Sequence, residues 1–295
     1  MRVRLSLLLM VTFFGGSLPA YKLASESFGP ATTNLIRFII AAAVLLLAAR
    51  KHLHTARGEA KRLYGIGVFG LGLMAVFMGI GVDRGSATIG SIVVGLEPLG
   101  VALAGVLLVG DRPNVRSKVA LAVGFTGAVV ASGVFTETTG PSPIVPILLL
   151  LGTVVAFSVY TAYVRRTRPD VHPLAVAALT QVGALTFVIP ACLFDVLNGG
   201  MVRGDVHGKA VFGVLFLGVG SAIAYLLLCV VLARQPSSRV AVSMFLTPLI
   251  GVLFSWLIVG EKLHLRDAIG GLLVLVALWI SEQSGRRGAA RSRSA

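Results

Sequence analysis

The sequence predicts an all-α polytopic membrane protein in which ten transmembrane helices form two inverted five-helix repeats. Three observations support this prediction: an apolar composition, a series of apolar runs of membrane-spanning length, and an internal repeat. Hydrophobic residues make up 56% of the 295-residue chain and charged residues only 13%, with a mean hydropathy of +0.91. A soluble domain would carry about a quarter charged residues, so the composition favours lipid as the outer solvent.

The apolar runs are each about 17 to 24 residues long, which suffices for a helix to cross a bilayer. The first run, within "MRVRLSLLLMVTFFGGSLPA", also has the basic start and small residues of a signal peptide. Its apolar stretch continues to Tyr21 and resembles the later runs, so we expect it to be a retained span. We place the ten spans near residues 5–23, 30–49, 63–82, 86–109, 117–134, 144–164, 173–194, 210–233, 238–259 and 266–282.

The basic residues divide unevenly between alternate connections of these spans. One side carries 19 Lys and Arg residues, at both termini and in connections 50–62, 112–118, 165–168 and 234–239, and the other side carries 6. Cytoplasmic loops are enriched in Lys and Arg, so we expect a multi-pass protein of the cell membrane with both termini in the cytoplasm. This bias explains the net charge of +14 without a nucleic-acid partner.

A segment of the first half of the chain recurs in the second half. "LEPLGVALAGVLLVGDRPNVR" (96–116) aligns without gaps on "LTPLIGVLFSWLIVGEKLHLR" (246–266), and the proline, the VG pair, the following acid and a later arginine all lie 150 positions apart. This predicts one repeat over 1–138, with spans one to five, and another over 139–295, with spans six to ten and a short basic tail. An odd number of spans inverts the second repeat. Transporters often use this plan, with the substrate site at the repeat interface.

These features resemble the drug/metabolite transporter superfamily, in its ten-span branch with two EamA-type repeats. The resemblance covers essentially the whole chain and is carried by the signatures Pro98 to Asp111 and Pro248 to Glu261, and by the "GP…LIR" opening of the second span. "LEPLGVAL" is most similar to the amino-acid and homoserine exporters of this group. The resemblance implies export of small metabolites such as amino acids, related compounds or drugs. Asp111 departs from the family pattern, which usually has glutamate there.

Glu97 lies near the middle of the fourth predicted span, where a carboxylate costs on the order of 3 kcal/mol. The adjoining Pro98 has no amide hydrogen, so we expect it to kink the helix and free a backbone carbonyl. A carboxylate beside free backbone groups suits a water-accessible cavity, and one interpretation is a site for a proton or a cationic substrate. The alternative is a structural ion pair or a protonated acid bonded to the backbone.

Arg37 lies about seven residues into the second predicted span from its outer end and is the candidate partner of Glu97. Thr33, Asn34 and Arg37 share one helical face by their i+3 and i+4 spacing. The planar guanidinium fork could hold a substrate carboxylate. The alternative is a role in helix packing or in an ion pair.

The second half offers neutral polar candidates. Thr247 aligns with Glu97, and with Ser243, Gly251 and Ser255 it forms a small polar stripe at a spacing of four. This stripe is either a cavity wall or a surface for close helix packing. We expect Pro248 to kink its helix as Pro98 does. Further candidates are Thr180 and Gln181 in span seven, and Tyr225, which follows Ser221 by one turn in span eight.

Three side chains near span ends have structural interpretations. Asp111 and Glu261 end their spans and are expected to neutralise Arg112 and Lys262, their neighbours in sequence. Tyr160 lies near the inner end of span six and is interpreted as an interface anchor.

Several kinds of chemistry have no signal in the sequence. There is no Walker A, HExxH, paired CxxC or G-x-S-x-G pattern, so we expect no enzymatic activity, no cofactor and no metal site. The predicted function is a secondary transporter for a small-molecule substrate, with uniport and proton antiport left open. The alternatives are a membrane enzyme or lipid-handling protein without transport, and a membrane scaffold. The sequence does not choose between a monomer and a homodimer.

Overall fold

The computed structural model describes residues 3–84, 95–131, 144–197, 202, 205–254, 256–257 and 265–291. This part of the chain is helical apart from short connections, and its extended pairing consists of one isolated bridge between Phe28 and Val202. The prediction of an all-α protein is therefore confirmed for the described residues.

Twelve α-helices, numbered in chain order, make up the described residues. A 3₁₀ turn precedes α3, and two wider π-helical turns continue α3 and α5. The helices are α1 (Val3–Ser25), α2 (Pro30–Ala49), α3 (Ala60–Ile66), α4 (Leu73–Arg84), α5 (Glu97–Ala104), α6 (Val115–Ala131), α7 (Ile144–Arg165), α8 (Pro173–Leu197), α9 (Gly208–Leu232), α10 (Ser237–Met244), α11 (Leu246–Phe254) and α12 (Leu265–Arg291); the turns are Leu53–Ala56, Gly67–Gly72 and Gly105–Val109.

Seven helical segments of the described chain are long and apolar enough to cross a bilayer, and two shorter apolar segments accompany them. This supports a polytopic membrane protein but does not confirm the count of ten spans. The predicted spans 86–109, 117–134 and 238–259 lie partly outside the described residues. The seven segments are Val3–Ser25, Pro30–Ala49, Ala60–Gly81, Ile144–Arg165, Pro173–Phe194, Gly208–Leu232 and Ser237–Phe254, and the two shorter ones are Glu97–Val109 and Ala268–Ser281.

The helices α3 and α4 belong to one span whose middle, the π-helical turn Gly67–Gly72, packs against α8 with almost no separation. A Cβ atom on Gly67 would collide with the backbone carbonyl of Thr180, and one on Gly183 would collide with the carbonyl of Tyr64. Small residues let membrane helices approach this closely. The contact fixes the position of α8, which carries Thr180 and Gln181.

In each half a helix starts one or two residues before the predicted kink proline. Glu97 begins α5, and Pro98 is therefore in the first turn, where no amide hydrogen is needed. In the second half the helix is interrupted at Phe245, and α11 begins at Leu246. Pro248 is thus also in a first turn. Proline has no amide hydrogen to donate, and none is needed there because the helix is interrupted just before it. Pro248 therefore follows a break between α10 and α11, and Pro98 stands in the first turn of α5.

The two ends of the helical bundle differ in charge. One end, which we call the basic end, carries the connections 50–59, 110–114, 166–172 and 233–236. These connections contact neighbouring connections or helices; for example, the backbone N–H of His172 donates to the Thr55 hydroxyl at 3.0 Å. At the opposite end, the Ser27 hydroxyl donates to the backbone carbonyl of Asp205 at 2.7 Å. Both ends are therefore bridged by contacts between the N-terminal and C-terminal halves of the chain.

The two halves of the chain interleave. From the first half, α1 packs against α9 and α11, α2 packs against α8 and α9, and α6 packs against α12. The largest fully buried side chains include Phe38, Tyr160, Tyr225 and Phe245, so both halves contribute to one core. Polar groups at mid-helix positions therefore face residues of the other half.

Candidate functional site

Arg37 forms a hydrogen bond across the two halves of the chain. Its Nε donates to the Ser221 hydroxyl on α9 at 2.6 Å, and its guanidinium carbon lies 5.7 Å from the centroid of the neighbouring Phe38 ring. The side chain is half-buried. Within the described residues no carboxylate lies at ion-pair distance from it. Since its Nε makes the one hydrogen bond that Arg37 forms with the described residues, both terminal amino groups of the guanidinium fork are available to a ligand in this part of the chain.

Glu97 occupies the first position of α5 and is half-buried. A carboxylate in this first turn is stabilised by the positive end of the helix dipole, by about 0.3–1 kcal/mol. Among the described residues Glu97 has no ion-pair partner, so the candidate pair with Arg37 is not formed.

Tyr225 belongs to a cluster of buried aromatic rings one turn beyond Ser221 on α9. It is 2% exposed and meets the rings of Phe14 and Tyr160 edge-on, at centroid distances of 5.3 and 6.1 Å. Tyr160, expected at the membrane interface, is instead fully buried, and its hydroxyl lies 4.0 Å from the Cys229 sulfur. These rings lie between the Arg37–Ser221 bond and the part of α9 that leads to the basic end.

The polar residues of α2 that precede Arg37 are buried. Thr33 is fully buried, and its hydroxyl has no partner in the part of the chain that the structure describes. Asn34 is 8% exposed and lies against α4 near Gly79. Because an unsatisfied buried hydroxyl costs roughly 1–3 kcal/mol, the Thr33 oxygen is a candidate contact for water or a ligand.

The two candidates on α8 differ in their partners. Thr180 donates back to the carbonyls of Val176 and Ala177, at 3.0 and 3.1 Å, so its hydroxyl is used within its own helix. Gln181 is fully buried, and within the described ranges neither its amide oxygen nor its amide nitrogen has a partner. Since buried amides are nearly always hydrogen-bonded, Gln181 is the stronger candidate for ligand contact.

The candidates on α10 and α11 differ in the same way. The Ser243 hydroxyl donates to the backbone carbonyl of Arg239 at 3.1 Å, whereas the Thr247 hydroxyl is buried without a partner. The backbone carbonyl of Thr247 lies 2.8 Å from the position that a Cβ atom on Gly15 would take. Thr247 therefore lies in close helix packing against α1, while Ser255 is outside the described residues.

Two further serines become candidates through their positions in the structure. Ser221 is the partner of Arg37, and its spacing of four from Tyr225 was the one available signal. Ser158 on α7 is 5% exposed, has a hydroxyl without a partner, and packs directly against Gly100 of α5. Nothing in the sequence distinguishes Ser158 from a packing serine.

The arrangement places a cation, a carboxylate and unpartnered neutral polar groups on helices from both halves of the chain. Such a set can bind the charged ends of a small molecule. Among the described residues no cluster of three or more His, Cys, Asp or Glu side chains could hold a metal ion.

The model of the EamA-like transporter family matches the chain twice, over residues 2–133 and 144–282. The chain belongs to the EamA-like transporter family. It is a transmembrane transport protein by this membership, and its polar groups at mid-helix belong to an EamA-like helical bundle.

The similar proteins agree with this assignment. An uncharacterized transporter of Archaeoglobus fulgidus is 25% identical over 279 residues, which cover 93% of this chain and 96% of the relative. The uncharacterized transporter YvbV of Bacillus subtilis is 26% identical over 280 residues, covering 94% and 90%. A crystal structure with 20% identity superposes with a TM-score of 0.82 over 97% of this chain and 98% of the other, which shows a shared fold.

Proposed function

We propose that the protein is a secondary transporter that exports small metabolites, such as amino acids or related compounds, across the cytoplasmic membrane by alternating access. The observation that supports this most is the Arg37–Ser221 hydrogen bond, which joins the two halves at mid-helix and leaves the guanidinium fork without a partner among the described residues. The basic end faces the cytoplasm in this proposal, as the distribution of Lys and Arg predicts.

Arg37 binds the carboxylate of the substrate. An arginine within a membrane helix is costly and almost always pairs with another group or faces a cavity. Here the neutral Ser221 supplies one hydrogen bond but no counter-charge. A substrate carboxylate would supply that charge and engage both terminal amino groups in a planar, two-point contact.

Glu97 provides the opposite charge of the site. Its half-buried position at the start of α5, where no described residue forms an ion pair with it, supports this role. It binds either the ammonium group of a zwitterionic substrate or a proton exchanged for the substrate. Gln181 and Thr33, whose polar groups lack partners, are the proposed neutral contacts.

Counterflow in proteoliposomes tests the proposed function. Vesicles that contain the purified protein are loaded with an unlabelled amino acid, and the uptake of the same labelled compound is followed. Transient accumulation above equilibrium, absent from protein-free vesicles, is expected for at least one compound of an amino-acid panel. A panel without counterflow, measured with protein whose folding is verified, would exclude this substrate class.

A further inference from the structure

Asp111 lies at the basic end, at a sharp turn that follows the π-helical end of α5. Gly110 before it has a φ of 80°, a left-handed conformation that favours glycine. The backbone N–H of Asp111 donates to the carbonyl of Gly105 at 2.9 Å. This turn directs the carboxylate back into the bundle, where the side chain is only 12% exposed.

The carboxylate contacts two elements of the second half. One oxygen accepts from the backbone N–H of Ser237, the first residue of α10, at 2.7 Å. The other lies 3.7 Å from Nε of Arg165 at the end of α7, which is an ion-pair distance. Asp111 is therefore not occupied with Arg112, as the sequence suggested, but connects the first half of the chain to the second.

The contact extends to a fourth helix, α9, and supplies a hydrogen-bond acceptor at the start of α10. Arg165 donates through Nη1 to the backbone carbonyl of Leu232, the last residue of α9, at 2.5 Å. The N-cap residue of α10, Pro236, makes no side-chain capping hydrogen bond, so Asp111 provides an acceptor for the N-terminus of that helix from another part of the chain. A carboxylate at a helix N-terminus is favoured by the helix dipole.

The helices at this contact are packed as closely as glycine allows. A Cβ atom on Gly105 would lie 2.5 Å from the Cβ and 2.8 Å from the hydroxyl oxygen of Ser237, which is 1% exposed. No room for a solute remains between the end of α5 and the start of α10. Tyr160 and Cys229 lie buried behind this closure, on α7 and α9.

We propose that Asp111 is a positioning residue that holds the basic end of the transporter closed, through Arg165 and the N-terminus of α10. The inference rests on the proposed alternating-access function, in which this end must open to admit substrate. Opening separates the end of α5 from α10 and exposes the carboxylate and the guanidinium to water. Water then solvates both charges, so the contact can break and form again without a ligand bound at this end.

The two native cysteines report on the two ends of the bundle. Cys229 is 3% exposed behind the closure, and Cys192 is 3% exposed towards the opposite end, 3.8 Å from the Thr32 hydroxyl. The test measures the alkylation rate of each cysteine by N-ethylmaleimide in the intact, purified protein, with mass spectrometry to separate the two sites. Asp111→Asn removes the charge, and Gly105→Ala forces α5 and α10 apart without changing any charge. Gly65→Ala is the control, because a Cβ atom there meets open space.

The expected result is that Asp111→Asn and Gly105→Ala each raise the alkylation rate of Cys229 about tenfold, the factor that corresponds to about 1.4 kcal/mol. The rate of Cys192 stays at the wild-type level in both variants, and Gly65→Ala changes neither rate. A structural defect would instead raise both rates together. That result overturns the proposal, as does an unchanged Cys229 rate or a failure of both variants to fold.

The outcome separates this inference from the proposed function. If wild-type protein shows no counterflow while Cys229 responds selectively, the closure stands and the proposed transport of amino acids fails. If counterflow is present and Cys229 does not respond, transport stands and Asp111 does not control this end.

Discussion

His172 stacks on His52 at the basic end, with ring centroids 3.9 Å apart and ring planes inclined by 11°. Nδ1 of His172 also accepts a hydrogen bond from the backbone N–H of Leu174 at 3.2 Å, which caps the start of α8. Burial, and secondly the charge of His52, lower the pKa of His172 from its ordinary 6.5. The neutral ring is therefore part of the folded state.

This relationship predicts that the protein loses stability as the pH falls through about 6.5. Below that pH the unfolded chain binds a proton that the folded His172 binds less readily, so unfolding is favoured. The nearby Asp170 does not titrate in this window, because hydrogen bonding to Arg168 lowers its pKa from 3.8. Thermal unfolding in detergent between pH 8 and pH 5 measures the effect. His172→Asn preserves the cap and should make the unfolding temperature depend less on pH. The control is His54→Asn, at an exposed histidine of the 50–59 connection, which should leave this dependence unchanged.

Arg37→Lys should weaken transport of amino acids by about tenfold or more while affecting their amides far less. The lysine keeps the charge but loses the planar fork that engages a carboxylate, and hydrogen bonds to charged groups contribute about 1.5–3 kcal/mol. Counterflow of matched acid and amide pairs measures the ratio. Ser221→Ala removes the hydroxyl that accepts from Arg37 Nε but keeps the guanidinium, so the loss of acid transport should be smaller. Equal losses for acid and amide would mean that Arg37 has a structural role.

Glu97→Gln should yield a folded protein that retains exchange but loses uphill transport and its pH dependence, if Glu97 couples protons to the substrate. The variant keeps shape and hydrogen bonding but cannot titrate. Because Glu97 and Arg37 do not pair among the described residues, we expect the free energy of unfolding to change by less than about 1 kcal/mol. Thr247→Val, at the matching position, is the control and should leave the pH profile unchanged.

Two results would contradict the role of Glu97. The first is uphill transport by Glu97→Gln with an unaltered pH profile. The second is a strong loss of stability that the double variant Glu97→Gln with Arg37→Gln restores, since removal of one partner of a buried ion pair destabilises a protein by about 3–5 kcal/mol.

Gly67→Ala should destabilise the protein by about 1–3 kcal/mol or more, because the added Cβ atom would collide with the backbone carbonyl of Thr180 and α8 would have to move. Thermal unfolding in detergent measures the change. Gly65→Ala, two residues earlier and facing open space, should have almost no effect. Similar behaviour of the two variants would show that the close approach of α3 and α8 is not required.

The proposed orientation predicts which ends of the helices face the outside. With Cys192 and Cys229 replaced by alanine, a cysteine at Val206, which is 55% exposed at the opposite end, should react with a membrane-impermeant maleimide in intact cells. A cysteine at the exposed His54 should react only after the cells are opened. A cysteine at Gly200, which lies outside the described residues, should behave like the one at Val206. The reverse pattern would invert the orientation.

The sequence predicts the class of fold and the prominent charges because both depend on local composition. A helix of apolar residues, or an arginine within one, is recognisable from its own neighbours. The partner of that arginine is not: Ser221 lies 184 positions from Arg37, and only the packing of α2 against α9 brings them together. Ser158 is not recognisable from the sequence for the same reason, since its position matters only through its contact with Gly100 of α5.

Other features depend on competition between local and tertiary effects. Pro98 predicts an interruption, but whether it kinks a continuous helix or stands at the start of one depends on residues before it. Asp111 has an arginine next to it in sequence, yet its carboxylate turns towards α10 because Gly110 permits a left-handed turn. The π-helical turn Gly67–Gly72 has no sequence signal beyond its glycines.

The packing of α6 against α12 has a consequence for synthesis. The C-terminal residue of α6 is Ala131 and α12 begins at Leu265, so α6 leaves the ribosome well before its partner exists. At about 5–20 residues per second, the interval is on the order of ten seconds. During part of that time Arg37 also has no Ser221. The newly made first half thus exists for a time without the helices that cover α1, α2 and α6 in the complete bundle, and that time depends on the speed of translation.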